Sequence, residues 1–127
     1  DGIETLTNLT ELYCSHNLID KLPNFVNEKI TTLDIGNNQL SKLQGLEKLT
    51  KLEELWVCLS FYVINYFMSL GFLQQIFSFE DIESHLADKK ALNTVYLEGN
   101  PIQTEGLPAY RIKLKTILPQ ISQIDAN

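Results

Sequence analysis

Apolar residues recur along this chain at one fixed spacing. In residues 30–43, I-T-T-L-D-I-G-N-N-Q-L-S-K-L, they stand at Ile30, Leu33, Ile35, Leu40 and Leu43, with Asn38 between. The same order runs through Leu9, Leu12, Cys14, Asn17, Ile19 and Leu22, and again through Leu92, Val95, Leu97, Asn100 and Ile102. A fourth start, at Leu52, Leu55 and Val57, breaks off where the template needs an asparagine and then an apolar residue; the chain has Ser60 and Tyr62 there. The starts at 9, 30 and 52 lie 21 and 22 residues apart. Apolar residues two apart belong to one face of a strand. The asparagine then turns the chain, and its side chain can bond the backbone.

A period of about 20–29 residues carrying L-x-x-L-x-L-x-x-N-x-L is the pattern of leucine-rich repeats. It predicts an α/β solenoid with short parallel strands on the concave face, a helical or 3₁₀ convex side and a C-terminal helical cap. One repeat cannot bury its apolar face alone, so stacked neighbours share a core. Asn17, Asn38 and Asn100 are therefore expected to be structural.

In the first repeat the strand is predicted at 11–15, with Leu12 and Cys14 inward and Glu11, Tyr13 and Ser15 on the concave side. Cys14 is expected as a buried free thiol, and His16 as a solvated turn residue. Pro23 should stop the outward segment, with Phe25 and Val26 packing the convex side. In the later repeats Thr32 and Asp34, Glu54 and Trp56, and Thr94, Tyr96 and Glu98 alternate with inward residues. Leu43, Leu46, Leu49 and Leu52 recur every three residues, which predicts a short 3₁₀ or irregular helical back. Ser78-Phe79-Glu80-Asp81 has the form of a capping-box variant. Phe79, Ile82 and Leu86 then predict a helix over 79–90 that leaves His85 off its apolar stripe, in solvent.

The end of the chain reads as a cap. Pro108 can open a helix, and Leu107, Tyr110, Leu114, Ile117 and Leu118 give it an apolar stripe. Pro119 stops it, and Ile121 and Ile124 close the chain. Such a helix hides the open edge of a solenoid core. The chain is thus divided into a tail of a preceding repeat (1–8), repeats (9–106) and a cap (107–127), within one domain of residues 1–127. Without a polar cap at its start, it is expected to be the C-terminal piece of a longer array.

One stretch does not fit. Residues 55–79 hold 25 consecutive uncharged residues and eight of the twelve aromatics. Leu52 and Leu92 are 40 residues apart, whereas a helix-containing repeat needs about 26, so about 14 residues are extra, within 57–75. Three readings are open. A membrane-spanning helix suits the length and lack of charge but would divide one repeat between water and lipid. A packed insertion is the second. A translated intron or gene-model error is the third and is preferred, because it accounts for the abrupt change of composition inside one repeat.

The specific residues go further than the generic repeat. E-E-L-W at 53–56, F-E-D-I at 79–82, T-V-Y-L-E-G-N-P-I at 94–102 and Y-R-x-K-L-x-x-x-L-P-x-x-x-x-I-D at 110–125 resemble the C-terminal repeats and cap of the leucine-rich-repeat regulatory subunit of protein phosphatase 1, the regulatory subunit 7 family. The resemblance covers nearly all of the chain except about 57–75. It implies a non-enzymatic subunit of nucleus and cytoplasm whose concave face holds the protein phosphatase 1 catalytic subunit. By position it implies contacts from Asp34, Glu54, Trp56 and Tyr96, with Glu11 and Tyr13 in the same columns. Exposed aromatics on a rigid sheet are common interface anchors, and neighbouring carboxylates favour a basic partner surface.

Charge and candidate chemistry narrow the alternatives. A net charge of −6 offers no basic stripe to neutralise phosphates, so no nucleic acid is expected. Arg111, Lys113 and Lys115 form a local basic run near the end. The two cysteines and two histidines are too few and too scattered for a metal site, and no cofactor is expected. No nucleophile–base pair or phosphate loop appears, so an enzyme is not expected. The absence of C-x-x-C and of a signal-peptide pattern points to a reducing compartment, cytosol or nucleus. No membrane association is expected despite the apolar run. A repeat scaffold of another assembly, such as a spliceosomal A-prime-like protein, remains the alternative; acidic and aromatic concave residues separate it from an RNA–protein assembly, where basic ones are commoner. If the apolar stretch is a retained intron, long-read transcript sequencing will find messages lacking most of codons 57–75, encoding a shorter and more soluble protein; finding only the inserted form overturns that reading.

Overall fold

Each match to the apolar template forms a three-residue strand. The computed structural model describes residues 2–59, 78–106 and 108–126. Most of the insert expected at 57–75, and Leu107 of the expected cap stripe, lie outside the described residues. The strands are β1 (Glu11–Tyr13), β2 (Thr32–Asp34), β3 (Glu54–Trp56) and β4 (Thr94–Tyr96), followed by a two-residue β5 (Gln123–Ile124). They pair in chain order, all parallel, as one sheet. Register aligns Leu12, Leu33, Leu55, Val95 and Ile124 in one inward row. Beyond the strands the ladder continues: Cys14 N–H donates to Asp34 O (2.8 Å), Ile35 N–H to Trp56 O (2.9 Å) and Val57 N–H to Tyr96 O (2.7 Å).

Under the sheet lies a continuous apolar core. Leu33, Ile35, Leu40, Leu43, Leu46, Leu49, Leu52, Leu55 and Val57 are fully buried, as are Leu92, Val95 and Leu97. The first repeat is looser. Leu9, Leu12, Cys14 and Ile19 are only half-buried, beside a cleft of about 680 Å³ lined by Ile3, Leu12, Cys14, Leu22 and Phe25. Cys14 is thus a free but half-buried thiol rather than the buried one expected. Phe25 packs inward as expected, while Val26 is 41% exposed.

The asparagines hold the turns. Asn38 Nδ2 donates to Ile35 O (2.9 Å) in its own repeat and to Cys14 O (3.1 Å) in the one before, while its Oδ1 accepts from Ile19 N–H (3.1 Å). Asn100 Nδ2 does the same with Leu97 O (2.9 Å) and Val57 O (2.7 Å). Asn17, exposed, donates within its own repeat, to Cys14 O (3.0 Å). The residue before each asparagine is left-handed: His16 (φ 57°), Asn37 (φ 53°) and Gly99 (φ 85°). Glycine and asparagine adopt that conformation at little cost; His16 adopts it too, with Nε2 3.2 Å from Asn37 Nδ2.

The convex side is irregular. Over 43–52 no continuous helix forms; isolated turns close through Leu49 N–H to Leu46 O (3.0 Å) and Leu52 N–H to Leu49 O (3.3 Å). Those are i to i+3 bonds, the 3₁₀ pattern without its length. Gly45 (φ 109°) allows this path, because a Cβ there would lie 2.5 Å from Pro23 O.

Helix α1 (Phe79–Leu86) starts as expected but ends earlier than residue 90. Ser78 Oγ accepts from Asp81 N–H (3.2 Å). The box is only half made, because Asp81 Oδ2 accepts from Leu43 N–H (3.0 Å) and so ties the helix to the second repeat. His85 is not simply solvated. It lies between two carboxylates, Nε2 3.3 Å from Asp81 and Nδ1 3.8 Å from Glu47, with its side chain 21% exposed. Hydrogen bonds from the Glu47 and Gly45 backbone amides hold the Glu47 carboxyl below the usual range, and the neighbouring His85 and Lys89 act the same way.

Lys89, just past α1, is 2% exposed. Its Nζ donates to Leu46 O (2.7 Å) across the convex side. Burial pushes its pKa down, while the charges of Asp88 and Glu47 oppose that shift. Past the last helical turn, Gln120 Nε2 donates to Leu86 O (3.1 Å) and Lys89 O (3.2 Å), which also accept from Lys89 N–H and Leu92 N–H.

The cap has three parts. A single-turn helix α2 (Pro101–Thr104) follows Asn100. Helix α3 (Tyr110–Ile117) begins two residues later than Pro108 and ends before Pro119. It buries Tyr110 and Leu114, and Lys113 Nζ lies 5.2 Å over the Phe79 ring. Finally β5 extends the sheet. After it Asp125 turns left-handed (φ 55°) and is 6% exposed. Asp125 Oδ1 accepts from Leu97 N–H (2.8 Å) and Glu98 N–H (3.0 Å), and Oδ2 accepts from the Tyr110 hydroxyl (3.2 Å). The carboxylate stands where a further strand's carbonyl would receive Leu97.

Two measurements check this packing. Leu55→Ala should destabilise by about 2–5 kcal/mol through a core cavity, read by urea denaturation. Burial and the Asp125 charge push the Tyr110 phenol well above the tyrosine range. The folded chain therefore keeps a proton that the unfolded chain loses above about pH 10. Stability should fall as pH rises beyond that point. Tyr110→Phe should show a shallower loss between about pH 9.5 and 11, and an identical loss in the two proteins refutes the assignment.

Candidate partner-binding face

Strand alternation sends the residues between the core positions to the opposite face of the sheet. Pairing then lines them up. Glu11, Thr32, Glu54, Thr94 and Gln123 form one column, and Tyr13, Asp34, Trp56 and Tyr96 form the next. All six residues singled out from the sequence (Glu11, Tyr13, Asp34, Glu54, Trp56 and Tyr96) therefore lie in these two columns. Tyr13 is 62% exposed and Glu11 is exposed; the other four are half-buried.

One local arrangement occurs twice. The Tyr13 hydroxyl donates to Glu11 Oε2 (3.1 Å), and Trp56 Nε1 donates to Glu54 Oε2 (3.3 Å). Each aromatic thus holds the acid two residues before it on the same face. Tyr96 stacks on Trp56 with ring centroids 4.2 Å apart and a 30° tilt. Neighbouring strands bring opposed side chains close enough for such contacts. The pair gives a broad apolar plate with acid on either side, Glu54 in one column and Asp34 next to Trp56 in the other.

Asp34 is fixed by Gly36, whose N–H donates to its Oδ1 (3.0 Å). Gly36 also leaves room for the next strand: a Cβ there would lie 3.0 Å from Cys58 O. The field of these acids reaches several groups. The hydrogen bond to Glu11 holds the Tyr13 phenol above the ordinary range, and the charges of Glu11, Glu54 and Asp34 add to it. Burial raises the Cys58 thiol, and Asp34, Asp125 and Glu98 raise it further. Cys14 is raised by burial and then by Asp34. Both thiols are thus held toward the protonated form, the less nucleophilic one.

Gln123 was missed in the sequence. It occupies the first column from the cap, and its Nε2 donates to the Tyr96 hydroxyl (2.8 Å) and to Asp125 O (3.2 Å). Its only sequence signal is its place between Ile121 and Ile124, too short for a period-two pattern. Among the described residues no group of three His, Cys, Asp or Glu side chains could hold a metal. No described helix is long and apolar enough to cross a membrane.

Parallel strands at repeat spacing, asparagine-held turns and a shared leucine core make this a leucine-rich-repeat solenoid. A family model described as Leucine Rich repeats (2 copies) matches residues 28–66. The chain is similar to proteins named protein phosphatase 1 regulatory subunit SDS22. It is 47% identical to that of Schizosaccharomyces pombe over 53 residues, 42% of this chain and 16% of that protein. It is also 47% identical to that of Saccharomyces cerevisiae over 51 residues, 39% of this chain and 15% of that one. Protein phosphatase 1 regulatory subunit 7 of Danio rerio is 50% identical over 42 residues, 33% of this chain and 12% of that protein. The matched stretches thus span about one sixth or less of these relatives. In fold, the chain resembles one in the crystal structure of the Drosophila melanogaster SNF/U2A' complex. The TM-score is 0.68 at 23% identity, over 97% of this chain and 63% of that one.

Proposed function

We propose that this chain is part of a non-catalytic regulatory subunit that binds the catalytic subunit of protein phosphatase 1 through its concave face, in nucleus and cytoplasm. The observation that carries this reading is the Trp56–Tyr96 plate set among Glu54 and Asp34, within a chain whose relatives bear that regulatory-subunit name. An aromatic plate on a rigid sheet presents contact area with little loss of side-chain freedom on binding. The acids around it would attract a basic partner surface and speed encounter. Glu11 and Tyr13 extend the same acid-and-aromatic pattern to the first strand. The chain's likeness in fold to one in the SNF/U2A' complex leaves a scaffold of another assembly as the competing outcome.

Trp56 makes the decisive test, because its backbone sits in the ladder while its ring faces away from the core. Trp56→Ala should weaken binding of a purified type-1 catalytic subunit at least ~tenfold, with little change in melting temperature. Binding titrations and thermal melts on the same preparations decide it. If Trp56→Ala unfolds the chain while the remaining folded fraction binds normally, the assigned contact face is wrong.

A further inference from the structure

Gln123 ties the cap to the centre of the candidate face. Its amide nitrogen lies 3.2 Å from Asp125 O and 2.8 Å from the Tyr96 hydroxyl oxygen. A backbone carbonyl can only accept, so the end of the amide facing Asp125 O must be the NH₂ group. The same NH₂ group faces Tyr96, and it can only donate. The Tyr96 hydroxyl therefore receives a hydrogen bond from Gln123, and its own hydrogen is left pointing elsewhere. Among the described residues no hydrogen bond takes that hydrogen, which leaves it available to an acceptor outside the chain, on a ring that stacks against Trp56.

We propose that Gln123 is a positioning residue: it turns Tyr96 into a hydrogen-bond donor, and the bound partner supplies an acceptor, a carbonyl or carboxylate oxygen, at that point. This rests on the phosphatase-binding reading and adds to it. The acids of the face select cations, whereas the Tyr96 corner selects an acceptor. A partner surface of uniform positive charge would satisfy the first and not the second. The geometry also places a cap residue, contributed by β5, in direct control of a side chain on β4.

Gln123→Glu separates this from a merely structural role. Glutamate has the same shape, but at pH 7 it is ionised and only accepts. Tyr96 would then turn its hydrogen inward to the introduced carboxylate, and the outward donor would be lost. In the free intact chain, the Tyr96 Cζ resonance, assigned with Tyr96→Phe, should move in Gln123→Glu; an unmoved resonance overturns the proposed hydrogen-bond polarity whatever the partner. With a purified type-1 catalytic subunit, Gln123→Glu and Tyr96→Phe should each weaken binding roughly tenfold. The double variant should be no weaker than either single one. Gln123→Glu also loses the donation to Asp125 O and should melt somewhat lower, so binding is compared per folded molecule, with melts on the same preparations. Additive losses, or loss in Tyr96→Phe alone, overturn the role of Gln123. Trp56→Ala is the control: if it weakens binding and Gln123→Glu does not, only this proposal fails. If neither weakens binding, the phosphatase reading fails and takes this one with it.

Discussion

A side-chain amide that serves two successive repeats at once holds this solenoid together. Asn38 reaches Ile35 O and Cys14 O, and Asn100 reaches Leu97 O and Val57 O. The amides add a donor that spans two repeats to carbonyls at the ends of the strands, beside local donors such as Asn17 Nδ2 on Cys14 O and Asn100 N–H on Leu97 O. That donor sets the pitch, because it cannot bond both carbonyls unless neighbouring repeats are in register. The leucine rows then stack by default. At the last strand the polarity is reversed. Leu97 and Glu98 present N–H groups at an edge, and Asp125 supplies an acceptor in place of another backbone. Tyr110, buried in the cap helix, holds that carboxylate from the other side.

This architecture decides what the concave face can be. Short strands fix two columns of side chains to a rigid backbone and leave little freedom for the face to remodel. Its chemistry is therefore written directly by alternate residues. Burial raises the Cys14 and Cys58 thiols and the hydrogen bond to Glu11 raises the Tyr13 phenol, and the charge of Asp34 adds to all three. Groups this far apart along the chain share one field only because the repeats superimpose them.

Much of this was legible in the sequence, and for a physical reason. The strand and turn positions of each repeat face the same environment, so the pattern L-x-L-x-x-N recurs and can be counted. The same alternation exposed Glu11, Tyr13, Asp34, Glu54, Trp56 and Tyr96 as one face. What escaped was whatever occurs once. Lys89 carries no signal of burial in the sequence, yet it is 2% exposed and its Nζ donates to Leu46 O. His85 reads as solvated, but Glu47 approaches it from a part of the chain nearly forty residues away. The strand β5 is two residues long, too short to carry a period, and with it went Gln123. Of Phe25 and Val26, both expected to pack the convex side, Phe25 is buried and Val26 is 41% exposed.

The spacing between strands varies far more than their register. Successive strands begin 21, 22, 40 and 29 residues apart, yet Leu12, Leu33, Leu55, Val95 and Ile124 stay in one row. Both flanks of the longest connection are pinned separately: Leu59 N–H donates to Glu98 O (2.8 Å), and Ser78 caps α1. The alignment is thus set by the strands and their ties, not by the length of chain between them. Because the entropy of closing a loop grows only with the logarithm of its length, the third repeat acts as a graft point, where chain can be added or removed while the columns on the far side of the sheet keep their places.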